Sequence, residues 1–266
     1  MVLDVNKQAI DWKGDKSSLR EILIDVVRAG DIRLVPDRFE STYFHWVENL
    51  RDWCISRQIW WGHRIPAFYR EKELQIAMKT PEGVGWEQDP DTLDTWFSSA
   101  LWTWSTLIDP DLAQDESISF EELLRRSADF QKFHPTHVME TGYDILFFWV
   151  ARMILMTTFM IREVPFKTVY LHGLVRTRDG KKMSKSDPLT CIDPLESIRD
   201  YGTDALRLAL IQGTGPGQDL RLYPEKLESC RRFANKVWNA GRYILMNLSL
   251  IHISEPTRPL YSSYAV

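Results

Sequence analysis

Cysteine is scarce and poorly spaced for chemistry. Cys54, Cys191 and Cys230 are the three in 266 residues. They stand too far apart for a CxxC metal knuckle, and an odd number makes no disulfide framework, so a reducing compartment and no structural zinc are expected. Net charge is small too, −4 with histidine neutral, which gives no global attraction to nucleic acid and confines any such contact to local basic patches. The amino terminus, Met1-Val2-Leu3-Asp4-Val5, lacks the basic region and apolar core of a secretory signal. The longest apolar run, 145–161, is broken by Arg152, Thr157 and Thr158 and reads as a buried helix rather than a membrane span. The spacing GxxxxGK[ST] is absent, which disfavours a P-loop nucleotidase.

What is present begins with size and aromatics. The length exceeds the commonest domain size, so one large domain with an appendage, or two domains, is expected. Eleven tryptophans cluster, among them Trp46, Trp53, Trp60 and Trp61, then Trp96, Trp102 and Trp104; large apolar rings of this kind read as core and interdomain filler.

Hydrophobic period and turn residues outline the order of elements. Residues 17–29 carry Leu19, Ile22, Leu23, Ile24, Val26 and Val27 at mixed helical spacing behind the capping candidates Ser17 and Ser18, ending near Gly30. A strand over 32–35, a helix over 39–53 and a strand over 64–68 follow. Residues 71–90 read as a hairpin or surface loop around Pro81-Glu82-Gly83-Val84-Gly85, and 109–122 as an exposed acidic stretch. Strand 138–141, helix 145–160 and strand 168–175 give the rhythm of a parallel sheet. Helices over 194–202, 204–211 and 224–248 then make the chain all-helical from about Pro194.

Chemistry concentrates after strands. In doubly wound sheets ligands lie beyond the carboxyl ends of the strands, where Gly142-Tyr143-Asp144 and His172-Gly173 stand. Gly142 permits close backbone approach or an unusual φ, and Asp144 offers a carboxylate for a ribose diol or an ammonium group; the competing reading of Asp144 is a helix N-cap. A lone histidine such as His172 is commonly structural, but Gly173 beside it and a basic loop nearby favour a ligand. That loop, Lys182-Met183-Ser184-Lys185-Ser186, can wrap a polyphosphate with ammonium charge, hydroxyls and backbone N–H groups. A solvated charged turn is its bland alternative.

The loop also matches the KMSKS signature of the class I aminoacyl-tRNA synthetases, and the surroundings resemble the valyl branch. These are Arg51-Asp52-Trp53-Cys54-Ile55-Ser56-Arg57-Gln58, Trp60-Trp61-Gly62-His63-Arg64-Ile65-Pro66, Asp94-Thr95-Trp96-Phe97-Ser98-Ser99, Gly142-Tyr143-Asp144-Ile145, His172-Gly173-Leu174-Val175 and Tyr201-Gly202-Thr203-Asp204. The isoleucyl and leucyl relatives share the first of these loosely. A noncatalytic nucleic-acid-binding module is the third alternative.

The resemblance implies an α/β fold, the second half of a Rossmann-like parallel-sheet catalytic domain followed by an all-helical segment. It implies ATP-dependent joining of valine to tRNA(Val) through valyl-adenylate. Lys182 and Lys185 would be catalytic, stabilising charge on the triphosphate together with Mg²⁺ held mainly by the phosphates. Gly142, Asp144, His172, Gly173 and Val175 would bind ATP or adenylate with Lys182, Met183, Ser184, Lys185 and Ser186. Trp96, Ile145 and Asp144 would form the valine pocket. From the residues themselves, Arg51 and Arg57 among Trp and His residues and Arg207, Arg231 and Arg232 along the helical part are consistent with tRNA phosphate contacts, with an ordinary solvated surface as the equal alternative. The segments implied are 1–193 (catalytic), 194–222 (helical, stem-contacting), 223–248 (first helix of an anticodon-binding domain) and 249–266, a proline-bearing tail foreign to the pattern. The intact enzyme would be cytoplasmic, monomeric and free of membrane. Two departures are notable. No HIGH signature appears among His45, His63, His134, His137, His172 and His252, and His134-Pro135-Thr136-His137 precedes the wrong strand. The chain therefore reads as an internal fragment without the HIGH half or an editing domain, inactive alone. Asp187-Pro188-Leu189-Thr190-Cys191 also replaces the family's usual turn after the loop.

Overall fold

Ser18 starts the first helix. Its Oγ accepts from the Glu21 N–H at 3.3 Å while the Glu21 carboxylate accepts from the Ser18 N–H at 2.7 Å, a reciprocal capping box that satisfies two free donors. These bonds hold the Glu21 carboxyl below its usual range. The helix, α1 (Leu19–Arg28), buries Leu19, Ile22, Leu23, Val26 and Val27 and leaves Ile24 half-buried at the margin of that face. Gly30, at φ 78°, turns the chain into strand β1 (Arg33–Val35).

The computed structural model describes residues 1–183 and 192–248. Ser184, Lys185 and Ser186 of the basic loop and the 249–266 tail lie outside the described residues. The chain divides into two compact units, Met1–Gly173 and Leu174–Val266.

In the first unit β1 is followed by α2 (Phe39–Glu48), α3 (Thr95–Ala100), β2 (Thr136–Gly142), α4 (Arg152–Ile161) and β3 (Phe166–His172). The three strands form a parallel sheet in the order β2-β3-β1, with Leu34, Val169, Leu171 and Phe166 fully buried. Helices α1 and α3 pack on α4. Tyr143–Ile161 is apolar and long enough by composition to cross a membrane, yet Leu146, Val150, Ala151, Met153, Ile154 and Leu155 are buried in this unit's core.

Several expectations are corrected here. Helix 39–53 stops at Glu48, because Asp52 Oδ1 takes the Val5 N–H and Leu50 O takes Arg20, and Trp53–Cys54 instead pairs with Val2–Leu3. The helix expected over 145–160 opens with a 3-10 turn at Tyr143–Ile145 and a π-helical turn at Leu146–Ala151 before α4 begins. The strand expected over 64–68 lies at Ala67–Arg70, flanked by Glu73–Ile76 and Glu87–Gln88 in a small antiparallel sheet. Trp60 and Trp61 are 95% and 87% exposed, so these two rings are not core filler.

In the second unit, α5 (Pro194–Tyr201) and α6 (Thr203–Ile211) are separated by Gly202 at φ 90°, ψ 153°, a conformation that only glycine adopts without strain. Helix α7 (Pro224–Asn247) follows. Ala205, Leu206, Ala209, Leu222, Leu227 and Cys230 form the core. The strand expected over 168–175 is two strands: β3, and Val175–Arg176 in this unit, which pairs in parallel with Leu220–Arg221. The region after Pro194 is therefore not wholly helical.

Candidate active site at the carboxyl ends of the parallel strands

Because β1, β2 and β3 run the same way, their carboxyl ends share one edge of the sheet. Gly142 and His172 are direct partners in the β2-β3 register, and Val35 pairs with Tyr170 beside them. The register thus brings together the two turns singled out from sequence. His172 Nδ1 donates to Gly173 O at 2.7 Å, and its Nε2 lies 3.4 Å from Glu140 Oε1, which fixes the ring over the strand ends. Gly142 is buried with φ −66° and ψ 140°, so no unusual φ is involved.

Asp144 sits inside the 3-10 turn, exposed, and the turn begins at Gly142 with no side-chain cap. The capping reading of Asp144 therefore falls away. Asp144 lines a cavity of about 160 Å³ with Thr42, Tyr43, Trp46, Tyr143 and Phe148, and Tyr143 stacks on Phe39 at 5.4 Å. Ile145 follows, half-buried, at the junction with the π turn. Trp96, in the first turn of α3, is half-buried and 6.2 Å from the ring of Phe148. Phe148 therefore links Trp96 to the Asp144 cavity, although neither Trp96 nor Ile145 lines it.

A second cluster, missed from sequence, lies behind Trp96. Asp94 is 5% exposed at its side chain. Its Oδ1 accepts from the Trp96 N–H at 3.1 Å, and its Oδ2 accepts from Trp53 Nε1 at 3.0 Å and Arg57 Nη2 at 2.8 Å. Arg152 Nη1 stands 3.6 Å from the same oxygen, and the guanidinium lies 4.3 Å from the ring centre of Trp53. Burial pushes the Arg152 guanidinium below its ordinary value, against the opposing pull of Asp94. Arg57 also donates to Cys54 O and Ser56 O, so its guanidinium is engaged within the first unit. Arg51 lines a larger cavity, about 480 Å³, with His45, Trp46, Asp52, Trp53 and Arg152.

His134 and His137 stand at the opposite edge of the sheet, flanking the amino end of β2. His134 stacks on Phe130 at 4.5 Å with its side chain 1% exposed, a packing role. Among the described residues no group of three His, Cys, Asp or Glu gathers to hold a metal.

The second unit carries the other expected residues. Val175 begins the strand Val175–Arg176; the chain turns at Gly180, φ 82°, and Lys182 returns to bridge Arg176. The basic loop thus starts on the return limb of a hairpin-like turn, with Met183 packed against this unit's core. Arg207 is exposed on α6, while Arg231 and Arg232 both pair with Glu228 along α7.

The chain is similar to proteins of one family. The description "tRNA synthetases class I (I, L, M and V)" matches residues 7–84 and 79–223. A valine–tRNA ligase of Clostridium tetani is 50% identical over 245 residues, covering 89% of this chain and 26% of that protein. One of Bacillus subtilis is 52% identical over 220 residues, covering 82% and 23%. The chain spans about a quarter of the length of these relatives. Among solved structures, an Agrobacterium radiobacter K84 LeuRS in a ternary complex with tRNA and LeuAMS superposes with a TM-score of 0.57 at 21% identity, over 71% of this chain and 28% of that one. A Mycobacterium tuberculosis methionyl-tRNA synthetase bound by methionyl-adenylate gives 0.55 at 20% identity, over 79% and 34%. At such identities the likeness is one of fold, and it agrees with the parallel sheet and its flanking helices. The chain belongs to the class I tRNA synthetases of the isoleucine, leucine, methionine and valine group.

Proposed function

We propose that this chain is the second half of the catalytic domain of a valine–tRNA ligase, which joins valine to ATP as valyl-adenylate and passes it to the terminal ribose of tRNA(Val). The observation that carries this reading is 50% identity to a valine–tRNA ligase across 89% of the chain. The placement of Gly142, Asp144 and His172 at the carboxyl edge of a parallel sheet supports it.

In the first step a valine carboxylate oxygen attacks the α-phosphorus of ATP and pyrophosphate leaves. Gly142 lets the ligand approach the backbone, and His172 with Gly173 and Val175 holds the adenosine portion. Asp144, exposed at the strand edge, receives the valine ammonium or the adenylate by opposite charge and hydrogen bonding. Lys182 and Lys185, with Met183, Ser184 and Ser186 of the same sequence motif, offset charge growing on the leaving phosphates, an electrostatic role. Mg²⁺ carried in with the ATP phosphates would supply further charge neutralisation. In the second step the ribose hydroxyl attacks the acyl carbon and AMP leaves. Trp96 and Ile145 wall the pocket for the valine side chain. An apolar pocket cannot strongly reject threonine, which adds only a hydroxyl in similar volume, so editing elsewhere in the enzyme completes the specificity.

On this reading residues 1–193 are catalytic, 194–222 contact the acceptor stem, 223–248 begin the anticodon-binding domain and 249–266 are foreign. Arg51, Arg207, Arg231 and Arg232 face the tRNA, since exposed pairs such as those with Glu228 hold a guanidinium only weakly. Arg57 supports the site through Asp94 instead. The enzyme acts in the cytoplasm as a monomer. Calorimetric titration of the chain, rejoined to the amino-terminal part of a related valine–tRNA ligase, with sulfamoyl analogues of valyl- and leucyl-adenylate tests the reading. Tighter binding of the valyl analogue is expected, and preference for the leucyl analogue would overturn it.

A further inference from the structure

Arg152 is a largely buried cation that the mechanism above leaves unused. Its side chain is 15% exposed, and its Nη1 is buried with no hydrogen-bond partner among the described residues. A cation so placed is expensive unless its surroundings compensate. The compensation is Asp94 at 3.6 Å and three aromatic faces, with Trp53 at 4.3 Å, Phe148 at 5.5 Å and Trp96 at 6.0 Å from the guanidinium carbon. Those rings come from three separate segments. The π-helical turn at Leu146–Ala151 contains Phe148 and ends directly before Arg152; such turns insert an extra residue and re-aim the side chains that follow.

Asp94 and Arg152 hold the same tryptophan from two ends. Asp94 Oδ1 fixes the Trp96 backbone N–H at 3.1 Å, and Arg152 lies over its ring. Phe148, also beneath Arg152, stands 6.2 Å from Trp96 and lines the Asp144 cavity. Trp53 and Arg57 complete the shell by donating to Asp94 Oδ2.

We propose that Asp94 and Arg152 form a two-point clamp that positions Trp96 and Phe148, so that Arg152 tunes the fit of the aliphatic amino-acid side chain without touching it. The inference rests on the reading of Trp96 as a wall of that pocket. A Leu or Met at 152 would fill the volume but would carry neither the charge that answers Asp94 nor the planar face that stacks on the rings.

Two measurements decide it. The 266-residue chain labelled with 5-fluorotryptophan gives one fluorine resonance per ring, assigned by single Trp→Phe variants. Arg152→Met should move the Trp96 and Trp53 resonances and leave Trp104 in place, because Trp104 packs in a separate cluster with Leu124 and Phe130. An unmoved Trp96 resonance beside an unmoved Trp104 would overturn the clamp. If Arg152→Met unfolds the chain, Trp104 collapses too, and Arg152→Lys, which keeps the charge but loses the planar stack, is read in the same way. In the rejoined enzyme, Arg152→Lys should raise KM for valine about tenfold with KM for ATP and kcat little changed; equal rises in both KM values would indicate a merely structural residue. A rejoined wild-type enzyme that ignores valine would sink the valine reading, and the fluorine spectra would still decide the clamp.

Discussion

Replacing Asp94 tests how the first unit is held together around its site. Its buried carboxylate makes three hydrogen bonds and faces a buried guanidinium. Asp94→Ala removes the α3 cap, worth about 1 kcal/mol, and leaves the Trp53 indole N–H unsatisfied, about 1–3 kcal/mol. It also leaves Arg152 as an uncompensated buried charge, for which removal of one partner costs about 3–5 kcal/mol. Because these losses share one oxygen they overlap, and a total of about 4 kcal/mol is expected. Asp94→Asn keeps one acceptor oxygen, enough for the Trp96 N–H or the Trp53 indole but not both, and loses the charge, so about 3 kcal/mol is expected. Arg57 adds little to either figure, being 38% exposed. Urea unfolding of the chain, followed by tryptophan fluorescence, gives both values. If Asn costs as much as Ala, the hydrogen bonds contribute nothing and the reasoning fails; if Ala costs less than about 1 kcal/mol, the cluster does not organise this unit at all.

Three other outcomes are expected. Lys185→Ala in the rejoined enzyme should lower kcat for pyrophosphate exchange about 100-fold with KM for valine nearly unchanged, and an effect confined to the valine KM would contradict a role on the phosphates. Burial holds the His134 imidazole below its ordinary value despite Glu163 at 3.6 Å, so the unfolded chain takes up a proton that the folded chain resists. Stability should therefore be full above pH about 6.5 and fall as the pH drops below it, and His134→Phe, which keeps the stack on Phe130, should flatten that acid limb of the stability curve. Trp60→Ser and Trp61→Ser should shift the unfolding free energy by less than about 0.5 kcal/mol, since both rings face solvent; a loss above about 1 kcal/mol would mean that they are packed.

Where local signals were strong, sequence and structure agree. The capping candidate Ser18 and the apolar residues of 19–27 mark α1, and the structure shows Ser18 as its cap and Leu19, Ile22, Leu23, Val26 and Val27 as its buried face. Gly202 divides two helices at the position its backbone freedom suggests. The turns Gly142-Tyr143-Asp144 and His172-Gly173 could be placed beyond strand ends because the β-turn-α-β rhythm was legible, and the observed register sets Gly142 against His172. What could not be read depends on distant partners. The end of α2 is fixed by Val5, whose N–H lies 47 residues away from Asp52 in sequence, whereas Leu50 and Trp53 alone extend the helical pattern. The Asp94 cluster joins residues 53, 57, 94 and 152, and no local spacing predicts their meeting. Tryptophan content gives no hint that Trp53 is buried while Trp60 is exposed, since rings of equal apolar area serve either setting.

The most direct test is ATP–pyrophosphate exchange by the chain rejoined to the amino-terminal part of a related valine–tRNA ligase, with valine, isoleucine and leucine supplied in turn. Exchange stimulated by valine and depressed in the Lys185→Ala variant is the expected result. Exchange stimulated by isoleucine or leucine but not by valine would contradict it.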